Sequence, residues 1–437
     1  MTKIRLPEHV KKIISQLEAH GYEAYAVGGC VRDSLLKKEP KDWDVTTSAR
    51  PEAVKEIFPR CIDTGIKHGT VTVMLERRGY EVTTFRIDGD YSDGRHPDHV
   101  EFTPELSEDL KRRDFTINAM AYSKRTGVVD LYGGEKDLAN GLIRAVGEAE
   151  ERFSEDALRI LRLVRFSAAL GFAIEEKTFE AAKKLSGNLQ RVSAERIREE
   201  FMKTLLSPHP EKILLLEEIG ALKVFFPELS AMLGGGASEG GSPASVAASE
   251  SGASGDDAVV RVKTVSRLPE DKILRLAELF DVIRRASCLD SDEIRSLTDN
   301  RLRALKFDNE TREQVVFLMK YAAIALPSEA DALRRTLSLV GKKDFPLLLS
   351  FRALHACDEP QTDFAAVSQA FAGILERGEC TSVQELAVTG NDLIALGMKP
   401  GKTLGETLQA LLSKVLDDPS LNEKEKLLAL LKEGGTI

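Results

Sequence analysis

A buried strand that must stop at a glycine pair, followed after one short helix by two aspartates, constrains this chain more than any other feature. Tyr25-Ala26-Val27 is an apolar run that reads as a strand, and Gly28-Gly29 turns the chain at its end. Without Cβ atoms the glycines let backbone N–H groups approach an anion, and Arg32 adds a forked cationic donor suited to phosphate. Ser34-Leu35-Leu36 suggests a short helix before Asp42-Trp43-Asp44-Val45-Thr46-Thr47. Strand alternation predicts both carboxylates on one face and Trp43 in the core. Two neighbouring carboxylates repel unless cations lie between them, and paired hard cations stabilise the attacking and leaving oxygens of an in-line phosphoryl displacement. The segment therefore predicts a triphosphate grip beside magnesium (Mg2+) held by Asp42 and Asp44.

Two later stretches extend the pattern. Lys111-Arg112-Arg113-Asp114-Phe115-Thr116-Ile117-Asn118-Ala119-Met120-Ala121 comes first, and Glu155-Asp156-Ala157-Leu158-Arg159-Ile160-Leu161-Arg162-Leu163-Val164-Arg165-Phe166 follows. In the last, Asp156 only accepts hydrogen bonds when ionised and Arg159 only donates, one helical turn on. Such a pair matches cytosine and adenine, which show an amino group beside a ring acceptor, and leaves buried groups unpaired against uracil and guanine. Each lost partner typically costs ~1–3 kcal/mol. A plainer reading makes the same residues a helix start, with Ser154 as N-cap and Glu155 and Asp156 favoured in the first turn. Arg159, Arg162 and Arg165 interleave with Ile160, Leu161, Leu163, Val164 and Phe166, which predicts a buried side and an arginine stripe.

Taken in order, the three motifs resemble the nucleotidyltransferase superfamily that includes DNA polymerase beta. Within it they are similar to the class II enzymes, the tRNA CCA-adding enzymes and bacterial poly(A) polymerases, of the short bacterial type. The resemblance implies that Gly29, Arg32 and Arg113 bind the incoming nucleotide, that Asp42 and Asp44 are catalytic metal ligands, and that Asp156, Arg159, Arg162 and Arg165 bind nucleotide. Glu81, opening Glu-Val-Thr-Thr-Phe-Arg, is either a third carboxylate near the metals or a structural strand-edge residue.

The predicted fold is an α+β head of the polymerase-beta-like type, a mixed sheet with helices, followed by an all-α neck, body and tail. The head spans residues 1–142, with strand-like runs at Thr70 to Leu75, Tyr80 to Phe85 and Val128 to Leu131. The neck spans 143–205, the body 206–325 and the tail 326–437; amphipathic helices are expected at Glu211 to Glu218, Lys272 to Arg285 and Leu404 to Leu416. A Gly/Ser-rich insertion at 234–257 is too poor in apolar bulk to fold, and is expected to be disordered. Thr389-Gly390-Asn391-Asp392-Leu393 through Gly401 and Gly405, then Leu421 to Leu431, is similar to the tail of short CCA-adding enzymes, which grips tRNA.

At 437 residues the chain exceeds one hydrophobic core. It has no apolar leader or membrane-length run, and its five cysteines lack C-x-x-C spacing, so a cytoplasmic protein with neither zinc nor a disulfide framework is expected. The formal charge of −9 argues against indiscriminate RNA binding and requires a local basic face, which near-balanced charges between residues 144 and 205 do not locate. None of the seven histidines precedes an aspartate, so no metal phosphohydrolase signature accompanies the transferase motifs. Lys67-His68-Gly69-Thr70-Val71-Thr72-Val73 resembles CCA-adding rather than poly(A) polymerase sequences. The segment from Arg86 to Leu110, containing Tyr91 to Pro97, has the length of the flexible loop linked to the switch from C to A addition. The leading expectation is addition of C, C and A to tRNA from CTP and ATP without a template. The alternatives are an A-adding enzyme, a poly(A) polymerase, or a non-enzymatic RNA-binding module; a homodimer stays open.

Overall fold

The computed structural model describes residues 3–89, 99–234 and 255–433. The chain divides into two compact units, Met1–Cys288 with Arg301–Asp308 and Leu289–Asn300 with Asn309–Ile437.

The first unit begins with helix α1 (Glu8–Ala19), which buries Val10, Ile13, Ile14 and Leu17 along one stripe. Strands β1 (Ala24–Val27), β2 (Asp44–Thr47), β3 (Cys61–Gly65), β4 (Thr70–Leu75), β5 (Arg78–Thr84), β8 (Met120–Ser123) and β9 (Gly127–Asp130) form one sheet. A separate ribbon pairs β6 (Arg86–Asp88) with β7 (Val100–Phe102). The sheet order is β3-β4-β5-β2-β1-β8-β9, and only β2 and β5 run parallel, so the sheet is mixed as expected. β1 is internal and covered on both faces, which is why all four of its residues are buried. On one face Tyr25 and Val27 join Phe85, Ala121 and the Leu106 and Leu110 side chains of α4 (Leu106–Lys111). α1 and α3 (Pro51–Ile57) pack elsewhere on the sheet.

One element starts earlier than the sequence suggests. Helix α2 (Gly29–Leu35) begins at the second glycine itself, because Gly28 adopts φ +79° and reverses the chain within one residue.

Beyond the sheet the first unit is mostly helical, with α5 (Gly134–Ala139), α6 (Ala149–Glu155), α7 (Leu158–Leu170), α8 (Glu176–Leu185) and α9 (Ala194–Leu205), and one short parallel pair, β10 (Leu142–Ile143) with β11 (Ala173–Ile174). Helix Lys272–Ser287 was expected to be amphipathic, yet it is buried nearly all round from Ile273 to Ile283. Its charges are consumed internally. Arg275 donates to the Leu205, Ser207, Leu268 and Pro269 carbonyls, and Asp281 accepts from Arg284 and Arg285. Phe280 extends an aromatic chain through Phe226 to Phe201 and Phe225.

In the second unit the helix Lys402–Asp417 covers the expected Leu404 to Leu416. It buries Leu408, Leu411, Leu412, Val415 and Leu416 against Leu393, Leu427 and Leu431. Thr389 and Asp392 form a reciprocal capping box that starts helix Gly390–Ala395, so part of the tail-like motif is local capping. Of the Gly/Ser-rich segment, residues 235–254 lie outside the described residues, and the chain is helical from Gly255 to Thr264. Tyr91 to Pro97 likewise lie outside them, between β6 and β7. Among the described residues no helix is long and apolar enough to cross a membrane.

Candidate active site

The site begins where β1 ends. The last residue pair of the β1–β2 ladder is Val27 with Asp44; beyond it Gly28 turns away and donates its N–H to the Met120 carbonyl at 3.0 Å. With no partner strand past that point, β2 starts at Asp44, and Asp42 lies on the exposed lead-in rather than on the same strand face. Trp43 is correspondingly only half-buried, not in the core. The parallel β2–β5 register pairs Val45 with Val82, so Glu81 comes alongside Asp44. Although Asp44 keeps an exposed edge, desolvation pushes its carboxyl above the ordinary range; Glu81 and then Asp42 push the same way, and Arg113 opposes them. Cys30 props this corner from below, donating to the Val27 carbonyl at 3.3 Å, and burial pushes its thiol up to about 11, so it stays protonated.

Opposite the carboxylates lies a fan of arginines around one ring. The guanidiniums of Arg32, Arg162 and Arg165 approach the Phe166 ring at 5.2, 5.5 and 3.9 Å. Each is held by its own acceptors. Arg32 donates to Asp33 at 2.8 Å and to the Asn118 side-chain oxygen at 2.6 Å, Arg162 donates twice to Asp114 at 2.9 and 2.6 Å, and Arg165 pairs with Glu200 at 2.5 Å. Asp114 is the keystone, because its second oxygen accepts from the Phe115 N–H and from the Asn118 amide that in turn orients Arg32. Burial would push the Asp114 carboxyl up, but Arg162 and the Asn118 hydrogen bond outweigh it and hold it down at about 2.

These groups surround one cavity of about 440 Å³. It gathers Gly29, Arg32, Asp44, Arg113, Asp156, Arg159, Arg162 and Arg165; Asp42 and Glu81 are outside its lining. Seven arginines face three aspartates there, a concentrated cationic pocket on a chain whose formal charge is −9. The Arg113 Nε is buried with no protein partner, and Gly29 leaves its Cβ position open except for Arg32 at 3.7 Å. An orphaned donor, an open backbone and excess positive charge suit a polyanion. The carboxylates suit a divalent cation that keeps waters and shares substrate oxygens, rather than a closed cage. Among the described residues no three His, Cys, Asp or Glu side chains converge to form such a cage.

The segment from Glu155 to Phe166 differs locally from its expected form. Ser154 and Glu155 end α6 instead of opening the next helix, and Asp156 sits in the extended break before α7. From there its carboxylate accepts the Leu158 N–H at 3.0 Å and pairs with Arg196 at 2.9 Å. Arg159 is 9% exposed, donating to the Arg152 and Arg112 carbonyls and to Glu155, so the arginine stripe lines a pocket and is not a solvated face. Asp114, Asn118, Phe166 and Arg196 line this cavity without having been singled out from sequence. The first three sit within already conspicuous motifs. Arg196 and Glu200, four apart on α9, look in sequence like an ordinary surface i,i+4 pair.

Comparison with known proteins places this geometry. The family model described as "Poly A polymerase head domain" matches residues 24–144. "Probable RNA and SrmB- binding site of polymerase A" matches 171–233, and "tRNA nucleotidyltransferase domain 2 putative" matches 289–431. A CCA-adding enzyme of Lactobacillus helveticus is 35% identical over 421 residues, 96% of each chain. One from Lactobacillus delbrueckii subsp. bulgaricus is 37% identical over 435 residues, 99% of this chain and 100% of the relative. The chain belongs to the CCA-adding enzyme family. Among solved members of that family, the Bacillus stearothermophilus CCA-adding enzyme in complex with CTP matches with a TM-score of 0.73. It is 32% identical, with 98% of this chain and 96% of that one covered. The mixed sheet and helical remainder are thus the family's architecture.

Proposed function

We propose that this protein is a tRNA nucleotidyltransferase that adds C, C and A to tRNA 3′ ends from CTP and ATP. The observation that carries the reading is the single cavity in which Asp44 faces a fan of arginines beside the Gly28-Gly29 turn. The names of the full-length relatives and the CTP complex of one of them point the same way. Arg32, Arg162 and Arg165 take the triphosphate against the open backbone at Gly29; Arg113 supplies its unused Nε; Asp156 and Arg159 meet the base edge. The terminal 3′-hydroxyl of tRNA forms the new P–O bond at the α-phosphorus as the bond to the β-phosphate breaks. The hydroxyl proton passes to solvent, and pyrophosphate leaves into the arginine fan. Asp44 and Asp42, with Glu81 alongside, would hold Mg2+, which when bound supplies Lewis acidity toward the attacking and leaving oxygens. The helical tail is the part we assign to the body of tRNA, and the reaction is assigned to the cytoplasm.

The test supplies tRNA ending before CCA, after C and after CC, with CTP and ATP separately and together, and sequences the products. Termination at a completed CCA is the expected result. Addition of A only to the CC-ended substrate, long A tracts on unrelated RNA, or no incorporation would each replace the reading.

Two glycine variants separate folding from binding. Gly28→Ala forces a side chain into φ +79°, ψ −129°, a region tolerated essentially by glycine, and places Cβ 3.0 Å from an Arg113 nitrogen. It is expected to cost ~1–3 kcal/mol of stability, read by thermal melting. Gly29→Ala meets nothing nearer than 3.7 Å, so its melting temperature is expected to stay near wild type while KM for CTP rises about tenfold as the methyl intrudes on the triphosphate. Equal losses of stability in both variants would remove the cradle role.

Magnesium titration is expected to raise the melting temperature of the wild-type protein, because a cation relieves the repulsion felt by Asp44. A rise of equal size in Asp44→Asn would place the cation elsewhere.

A further inference from the structure

We propose that Arg196 is the positioning residue that sets base selectivity, by fixing the carboxylate of Asp156 so that a single acceptor site faces the cavity. The proposal rests on the nucleotidyltransferase reading of the pocket, which leaves open how the base-reading carboxylate is oriented.

Asp156 lies in the break between α6 and α7, where no helical backbone holds it, and its side chain retains 16% exposure toward the cavity. An unrestrained aspartate there would rotate about its side-chain torsions and present either oxygen, or neither, to a base. Three donors prevent this. The Leu158 N–H reaches Oδ1 at 3.0 Å, and the Arg196 guanidinium spans the carboxylate, with Nη1 3.4 Å from Oδ1 and Nη2 2.9 Å from Oδ2. An ionised carboxylate offers about four acceptor sites, so one remains, on Oδ2. That count matters for discrimination. One fixed acceptor can be satisfied by the amino group of cytosine or adenine, whereas a mobile carboxylate could swing away from the carbonyl of uracil or guanine and escape the penalty that rejects them.

Arg196 is itself braced. It projects from α9, which packs along α7, and one turn further Glu200 of the same helix pairs with Arg165 at 2.5 Å. α9 therefore grips the reading segment at two points, Asp156 before the helix and Arg165 within it. This places the orientation of the base reader under the control of a helix outside the three motifs.

The experiment measures kcat/KM for CTP and UTP on tRNA lacking CCA, and for ATP and GTP on CC-ended tRNA, using the full-length wild-type, Arg196→Ala, Arg196→Gln and Arg196→Lys proteins. Melting temperatures are recorded alongside. Wild type is expected to favour CTP over UTP and ATP over GTP. Arg196→Ala should lower both ratios by about tenfold or more, and Arg196→Lys, which restores a cation without the two-pronged grip, should recover part of the loss. If Arg196→Ala fails to fold, Arg196→Gln, which is shorter and uncharged but keeps a polar amide and the aliphatic stem, carries the same expectation. Falling kcat/KM for all four nucleotides with ratios unchanged would mean that Arg196 only supports the fold, and overturns the proposal. A wild-type protein that incorporates no nucleotide overturns the underlying reading instead, so the two failures are distinguishable.

Discussion

Asp44→Ala is expected to slow nucleotide incorporation by roughly three to four orders of magnitude while leaving the melting temperature unchanged or higher. The two halves follow from one environment. Asp44 sits at the mouth of the cationic cavity, where desolvation and the neighbouring Glu81 and Asp42 carboxylates make its charge unfavourable in the folded chain. A group whose carboxyl is raised by folding favours the native state most at low pH; as the pH rises and it ionises, that contribution is lost. Removing it therefore relieves a cost at neutral pH. The same charge is what a divalent cation requires, and loss of cation-borne stabilisation at the reacting oxygens amounts to several kcal/mol of barrier, hence the factor of a thousand or more. Single-turnover incorporation of CTP, measured beside a melting curve, checks both halves. A variant that melts several degrees lower would show that Asp44 has a structural role, and normal turnover would remove it from the chemistry. Asp42→Ala should follow in the same direction with no gain in stability, since Asp42 stands exposed ahead of the strand.

How much of this site can be read from the chain depends on how far its contacts reach in sequence. The glycine pair, Arg32 and Asp44 lie within one strand–turn–helix–strand unit, where period and turn chemistry are local, and they meet at the end of β1 as their spacing implies. The arginines of α7 were visible as a stripe, but a stripe does not reveal what it faces. Burial of Arg159 to 9% and the shared ring of Phe166 arise from packing against residues some forty to a hundred and thirty positions away. Sequence rules place a helix start at Ser154-Glu155-Asp156, which satisfies the pattern of an N-terminus equally well while in the structure it closes α6. Asp42 failed to share a strand face with Asp44 for a reason invisible to alternation alone, namely that its partner strand ends at Val27. Arg196 had no signal, because an i,i+4 pair of opposite charge is the commonest way to decorate an exposed helix.

Asp114→Asn is expected to be the most damaging single exchange for both folding and nucleotide binding, although Asp114 stands at the wall of the cavity among the arginines and not beside Asp42 and Glu81. Its carboxylate accepts from Arg162 twice, from Asn118 and from the Phe115 N–H, and through Asn118 it also sets Arg32. An asparagine keeps the shape but turns an amide N–H toward one of those donors and leaves the Arg162 charge uncompensated. Breaking a buried pair in this way costs about 3–5 kcal/mol, and because Arg162 keeps 35% of its side chain open to the cavity the lower end applies, about 3 kcal/mol. The acid limb supplies an independent check. Folding lowers the Asp114 carboxyl from an ordinary value of 3.8 to about 2, so the stability it adds is complete above pH ~4 and drains away as the pH falls toward 2. The variant should melt several degrees lower at neutral pH, and the gap to wild type should narrow on acidification through that window. Nucleotide affinity should fall as well, since Arg32 and Arg162 lose their common anchor. A gap that persisted unchanged at pH 2 would mean that Asp114 acts through shape and not through charge, and that the arginine fan is held open by the Phe166 ring and Glu200 instead.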